Sequence, residues 1–171
     1  MVKPDALDII LRLAYYPDKA LLTQSEPVTD WEMAQYIAEP LMKTMVVHHG
    51  FGLSAIQAKM PIQMFVMRCD GIRRTFVNPK ILASEDPVLC KEGCLSFPTY
   101  SCQVERFNKI SIEAFDVFGV PFTMELEGPA AFCAQHEMEH LEGKTFADKL
   151  SRLRKAILKS VIKRHTKKLY G

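Results

Sequence analysis

The stretch His136-Glu137-Met138-Glu139-His140 sets the tightest constraint on how this chain can fold. Residues four apart on a helix lie one turn above each other. Both imidazoles can therefore aim at one metal ion while Glu137 reaches the ligand position opposite them. Such a helix has to be central. A hydrolytic metal site takes three protein ligands and keeps one position for water, so a third ligand must come from elsewhere in the chain. Cys94, inside Glu92-Gly93-Cys94-Leu95-Ser96, is the candidate.

At 171 residues and 48% hydrophobic, the sequence fits a single domain over 1–171 with an ordinary core and no disulfide support. No apolar run is long enough to cross a bilayer, and Met1-Val2-Lys3-Pro4-Asp5 turns acidic before a signal-like core develops. The expectation is a soluble, cytoplasmic protein. Five cysteines, odd in number and without CxxC spacing, read as reduced thiols, with Cys69, Cys102 and Cys133 as small buried hydrophobes. The net charge of +2 is unevenly spread: eight Lys or Arg and no acid follow from Arg152, leaving 14 basic against 20 acidic residues before it.

Periodicity supplies the rest of the frame. Asp30 can cap a helix carrying Ala34, Ile37, Ala38, Leu41 and Met45, which Pro40 should kink or split. Short β-rich runs follow, Ile62 to Met67 and Arg74 to Val77, punctuated by Asp70-Gly71 and Asn78-Pro79 turn signals. Lys109 to Phe118 and Phe122 to Leu126 read as antiparallel partners. Gly128-Pro129 then opens the HExxH helix, which stops at Gly143. A final amphipathic helix places Leu150, Leu153, Ala156, Ile157, Ser160 and Val161 on its apolar stripe. The expected fold is α+β, with mixed or antiparallel β-sheets around the central helix and an amphipathic helix at the end.

Three segments together resemble the bacterial peptide deformylases: Gly50-Phe51-Gly52-Leu53-Ser54-Ala55-Ile56-Gln57, Glu92 to Ser96, and Gln135 to His140. Pro17-Asp18 through Pro27-Val28, Val77-Asn78-Pro79 and Gly143 to Asp148 extend the likeness over most of the chain. Three positions depart from the family pattern, with Phe51 for isoleucine or valine, Ser54 for alanine and Glu139 for aspartate.

The resemblance implies hydrolysis of the formyl group from the N-terminal methionine of nascent polypeptides, with release of formate. In that reading Cys94, His136 and His140 hold one divalent ion per chain, Fe(II) as the physiological metal with Zn(II), Ni(II) or Co(II) as substitutes. Glu137 moves the proton. The Gln57 amide and the Leu95 N–H steady the oxyanion. Phe51, Gly52, Glu92, Gly93, Pro129, Phe132, Cys133 and His136 contact substrate, and the edge around Gly50 and Gly52 pairs with its main chain. Arg106 is expected in an ion pair. The resemblance also implies ribosome contact through the basic C-terminal helix, and a monomer is expected. Two rival classes remain at this point: a zinc endopeptidase, which shares HExxH but commonly takes a third histidine or glutamate, and a non-catalytic relative, which would have lost Glu137, Gln57 or a ligand.

Overall fold

The computed structural model describes residues 9–170, so the reading of Met1 to Asp5 lies outside the described residues. Five strands form one antiparallel sheet in chain order: β1 (Gly52–Ser54), β2 (Met64–Cys69), β3 (Ile72–Gly93), β4 (Ser101–Phe115) and β5 (Pro121–Glu127). Three α-helices accompany it, α1 (Trp31–Val47), α2 (Pro129–Leu141) and α3 (Arg152–Tyr170).

Alternation along β2 organises the core. Met64 and Val66 join the cluster that contains Ala34, Ile37, Leu41 and Met45 of α1. Their neighbours Phe65, Met67 and Cys69 join Ala130, Ala131 and Ala134 of α2 instead. Successive side chains on a strand point to opposite faces, so α1 and α2 cover opposite sides of β2. The alanines let α2 lie close to the sheet, and the turn that carries His136 and His140 is buried as a result. Gln135 adds a clasp by accepting from the Phe107 N–H at 2.9 Å and donating to the Phe107 carbonyl at 2.7 Å.

Three expectations need correction. Pro40 neither splits nor ends α1, which runs from Trp31 to Val47 around it. The ring is buried, so packing helps to offset the donor that proline lacks, and the Pro40 carbonyl accepts from Thr44 Oγ1 at 2.7 Å one turn on. Asn78-Pro79 is not a turn between strands but an irregularity inside β3, where register shifts between Val77 and Lys80 and Asn78 takes φ +50°. Its side chain bonds both main-chain groups of Val28, at 2.7 and 3.0 Å. An Asx side chain can compensate a left-handed backbone in this way.

The third correction concerns α3. Its buried residues are Leu158 and Ile162, whereas Leu153 and Ile157 are 71% and 56% exposed. The packed face carries Lys155, His165 and Thr166 alongside the two apolar residues. A count of hydrophobic positions alone therefore picks the wrong stripe.

Candidate active site

α2 starts where Gly128, at φ +58°, turns the chain into Pro129, and after its cap at Glu142 the chain leaves through Gly143, at φ +70°. A Cβ at Gly143 would lie 2.9 Å from the Leu22 carbonyl oxygen, so only glycine fits this exit. Between these ends His136, Glu137 and His140 are buried. The loop after β3 carries Cys94 to them.

The nitrogen and sulfur donors of Cys94, His136 and His140 all lie within 4.8 Å of one another, and Cys94 Sγ is 3.1 Å from His140 Nε2. Bonds of about 2.0–2.3 Å to a shared tetrahedral ion would separate its donors by roughly 3.3–3.7 Å, so this spacing fits one cation. The outer nitrogen of His136 is engaged: Nδ1 lies 3.0 Å from Glu92 Oε2. A carboxylate in that position sets the tautomer and leaves Nε2 free to ligate. His140 Nδ1 is buried with no protein partner. A thiolate and two imidazoles suit a borderline divalent metal better than a hard ion.

Charges around the centre are arranged in pairs. Burial opposes ionisation of Glu92, but bonds from His136 and Arg106 outweigh it and draw its carboxyl down to about 2. Arg106 is itself buried and bridges Glu92, at 2.8 and 3.0 Å, to Glu139 of α2. The ion pair expected for Arg106 is thus present, and the longer Glu139 side chain reaches it. Burial pulls His140 well below the usual imidazole range, which keeps it neutral and able to ligate. Burial also opposes charge on His136, yet Cys94 and Glu92 raise it. A proton and a divalent ion compete for the same donors here.

Glu137 sits beside these donors with its carboxyl raised above the usual range, mainly by burial. The Ser54 hydroxyl lies within hydrogen-bond distance of both the Glu137 carboxylate and its main-chain oxygen. This contact was not foreseen from sequence, where Ser54 stood out only as a departure from alanine. Gln57 is buried and donates to Ser96 Oγ at 3.1 Å, reaches Cys94 Sγ at 3.4 Å, and accepts from the Ser54 N–H at 2.9 Å.

A cleft of about 1580 Å³ opens over this cluster. All the residues read as site residues line it except His140, which is buried. Phe51 is 69% exposed at its rim, and Leu95, Pro129, Phe132 and Cys133 form walls. The backbone of Gly52 runs so close to α2 that a Cβ there would meet Glu137 Oε1 at 2.6 Å and Cys133 Sγ at 2.7 Å. Tyr15, Tyr100 and His165 also line the cleft, and no motif points to them.

Two imidazoles and a thiolate converging beside a buried carboxylate define a site of the metallohydrolase class. The family model described as polypeptide deformylase matches residues 10–156, and the chain belongs to that family. It is a hydrolase that removes the formyl group from the N-terminus of nascent polypeptides, and its family is one of metalloenzymes. Peptide deformylase 1 of Shewanella oneidensis is 36% identical over 162 residues, covering 92% of this chain and 96% of that protein. The crystal structure of a peptide deformylase from Legionella pneumophila superposes with a TM-score of 0.86 at 33% identity, covering 92% and 96% of the two chains. A peptide deformylase of Ehrlichia chaffeensis in complex with actinonin gives 0.85 at 29% identity, covering 92% and 98%. The mixed α and β architecture expected from sequence matches these structures. No helix among the described residues is long and apolar enough to cross a membrane.

Proposed function

We propose that Cys94, His136 and His140 hold the metal, and that Glu137, Gln57 and Leu95 carry out deformylation around it. The observation that carries this reading is the convergence of the three donors within 4.8 Å beside Glu137. A divalent ion bound there supplies a Lewis acid and lowers the pKa of water at its open position, to about 7 in well-characterised zinc hydrolases.

Glu137 accepts the proton of the attacking water and returns it to the methionine nitrogen as the C–N bond breaks and formate leaves. Burial raises the carboxyl, which suits a group that takes up and returns a proton, while the His136 charge and the Ser54 hydrogen bonds act to lower it. The Gln57 amide and the Leu95 N–H stabilise charge on the carbonyl oxygen. Phe51, Glu92, Pro129, Phe132, Cys133 and His136 receive the methionine side chain, while Gly52 and Gly93 contact the rest of the substrate.

Fe(II) is the proposed physiological metal on the family resemblance alone, since a thiolate and two imidazoles suit Co(II), Ni(II) and Zn(II) as well. Metal analysis of anaerobically purified protein tests it. The deciding experiment for the roles is formate release from formyl-Met-Ala-Ser: Glu137→Ala should lose about 10²–10⁴-fold in rate with metal retained. Unchanged turnover in that variant would remove Glu137 from its role.

The protein is proposed to act as a cytoplasmic monomer that meets nascent chains at the ribosome through α3. Support comes from the outward Leu153 and Ile157 beside exposed Arg154, Lys159 and Lys163. Charge reversal at those three positions tests this contact better than truncation, which would also strip Leu158 and Ile162 from the core. Ribosome pelleting at low salt that is unchanged by the reversal would sink the idea.

A further inference from the structure

The cleft is much larger than a formyl-methionine needs, and it reaches the buried His136 and Glu137 and the partly buried Cys94. The formyl group is the end of its chain. Space that continues outward beyond the methionine is where the residues downstream of it would lie.

One stretch of that outer wall comes from α3. Leu158 and Ile162, 3% and 1% exposed, pack in the cluster that contains Phe97 and Phe146. Phe97 follows Cys94 in the loop from β3 to β4, and its N–H bonds the Cys94 carbonyl at 2.9 Å. α3 is thus docked on the same short loop that supplies a metal donor. His165 continues the face of Leu158 and Ile162 at helical spacing, is partly buried, and lines the cleft, as Thr99 and Tyr100 also do. Lys163, Arg164 and Lys167 on the same turns are exposed, and no acid follows Arg152.

We propose that His165 is a specificity-determining residue, at which the downstream part of the formylated peptide leaves the cleft, with preference for acidic side chains there. The proposal rests on the deformylase reading. An imidazole on a cation-rich helix end can donate to a carboxylate or a main-chain carbonyl, and it repels a basic side chain when protonated.

The test is a series of formyl-Met peptides of two to six residues, carrying Asp or Lys beyond the second position, with wild type, His165→Ala and His165→Glu. KM for the formyl dipeptide should be the same in all three proteins. For the longer Asp peptides KM should rise about fivefold in His165→Ala, with kcat unchanged. In His165→Glu the preference should turn towards the Lys peptides. Identical dependence on length and charge in all three proteins would overturn the proposal.

A wild type that binds metal yet leaves the formyl dipeptide intact would count against the deformylase reading instead. Binding of fluorescently labelled, unformylated peptides of the same series to wild type and His165→Ala would then decide the role of His165. Equal dissociation constants for the long Asp peptide would overturn it.

Discussion

Glu92 Oε2 lies 3.0 Å from His136 Nδ1, and the same carboxylate accepts two bonds from Arg106. One acidic side chain therefore orients the His136 imidazole and neutralises a buried guanidinium. Glu92→Ala should weaken zinc binding about 10–100-fold in a chelator competition, because the imidazole loses its tautomer lock. Thermal stability should fall too, since Arg106 would keep only Glu139.

Acid should act through the same group. The Glu92 carboxyl is lowered in the folded protein, to about 2. Its contribution to stability is complete above the ordinary carboxylate value near 4.5 and is lost as pH falls from there through about 2. Urea midpoints measured between pH 6 and pH 2 should decline over that window, and the decline should be shallower in Glu92→Gln.

Ser54→Ala removes a bond that lowers the Glu137 carboxyl. The acid limb of kcat/KM, which requires the charged carboxylate, should move to higher pH while the plateau changes little. A limb that stays in place or moves to lower pH would show that Ser54 does not tune Glu137.

Gln57→Ala should bind metal normally and lose on the order of 10²–10³ in kcat, the usual cost of one oxyanion donor. Metal content by atomic absorption, measured beside formate release, separates this outcome from a damaged ligand set.

Gly52→Ala should abolish most activity, because its Cβ would fall 2.6 Å from Glu137 Oε1. The Glu137 side chain or strand β1 must shift, and either displaces the proton carrier. A Gly52→Ala enzyme within a factor of two of wild type would show that the close approach is dispensable.

The convergence of the candidate donors was legible because they are encoded at fixed helical spacing or in short runs, as with His136, His140 and Cys94. The fold was legible where one period dominated, as in α2. It was less so where tertiary contacts overrode local signals. Asn78-Pro79 carries the marks of a turn, yet Val28 pairs with the Asn78 side chain and the strand continues past it. Pro40 reads as a helix breaker, but burial holds α1 together. On α3 a lysine, a threonine and a histidine share the packed face, so hydrophobicity alone could not find it. Ser54 was visible only as an odd residue until Glu137 was seen beside it.

Rings form a continuous path through the smaller core: Tyr16 stacks on Phe97 at 5.0 Å, Phe97 meets Phe146 at 5.6 Å, and Phe146 meets His136 at 5.0 Å. The imidazole is thus wedged between this path and the Glu92 carboxylate. Saturating the donors with a cation stabilises whatever is packed against them, by mass action. Cation uptake should therefore slow amide hydrogen exchange in α3 as well as in α2, letting the C-terminal helix report how full the centre is.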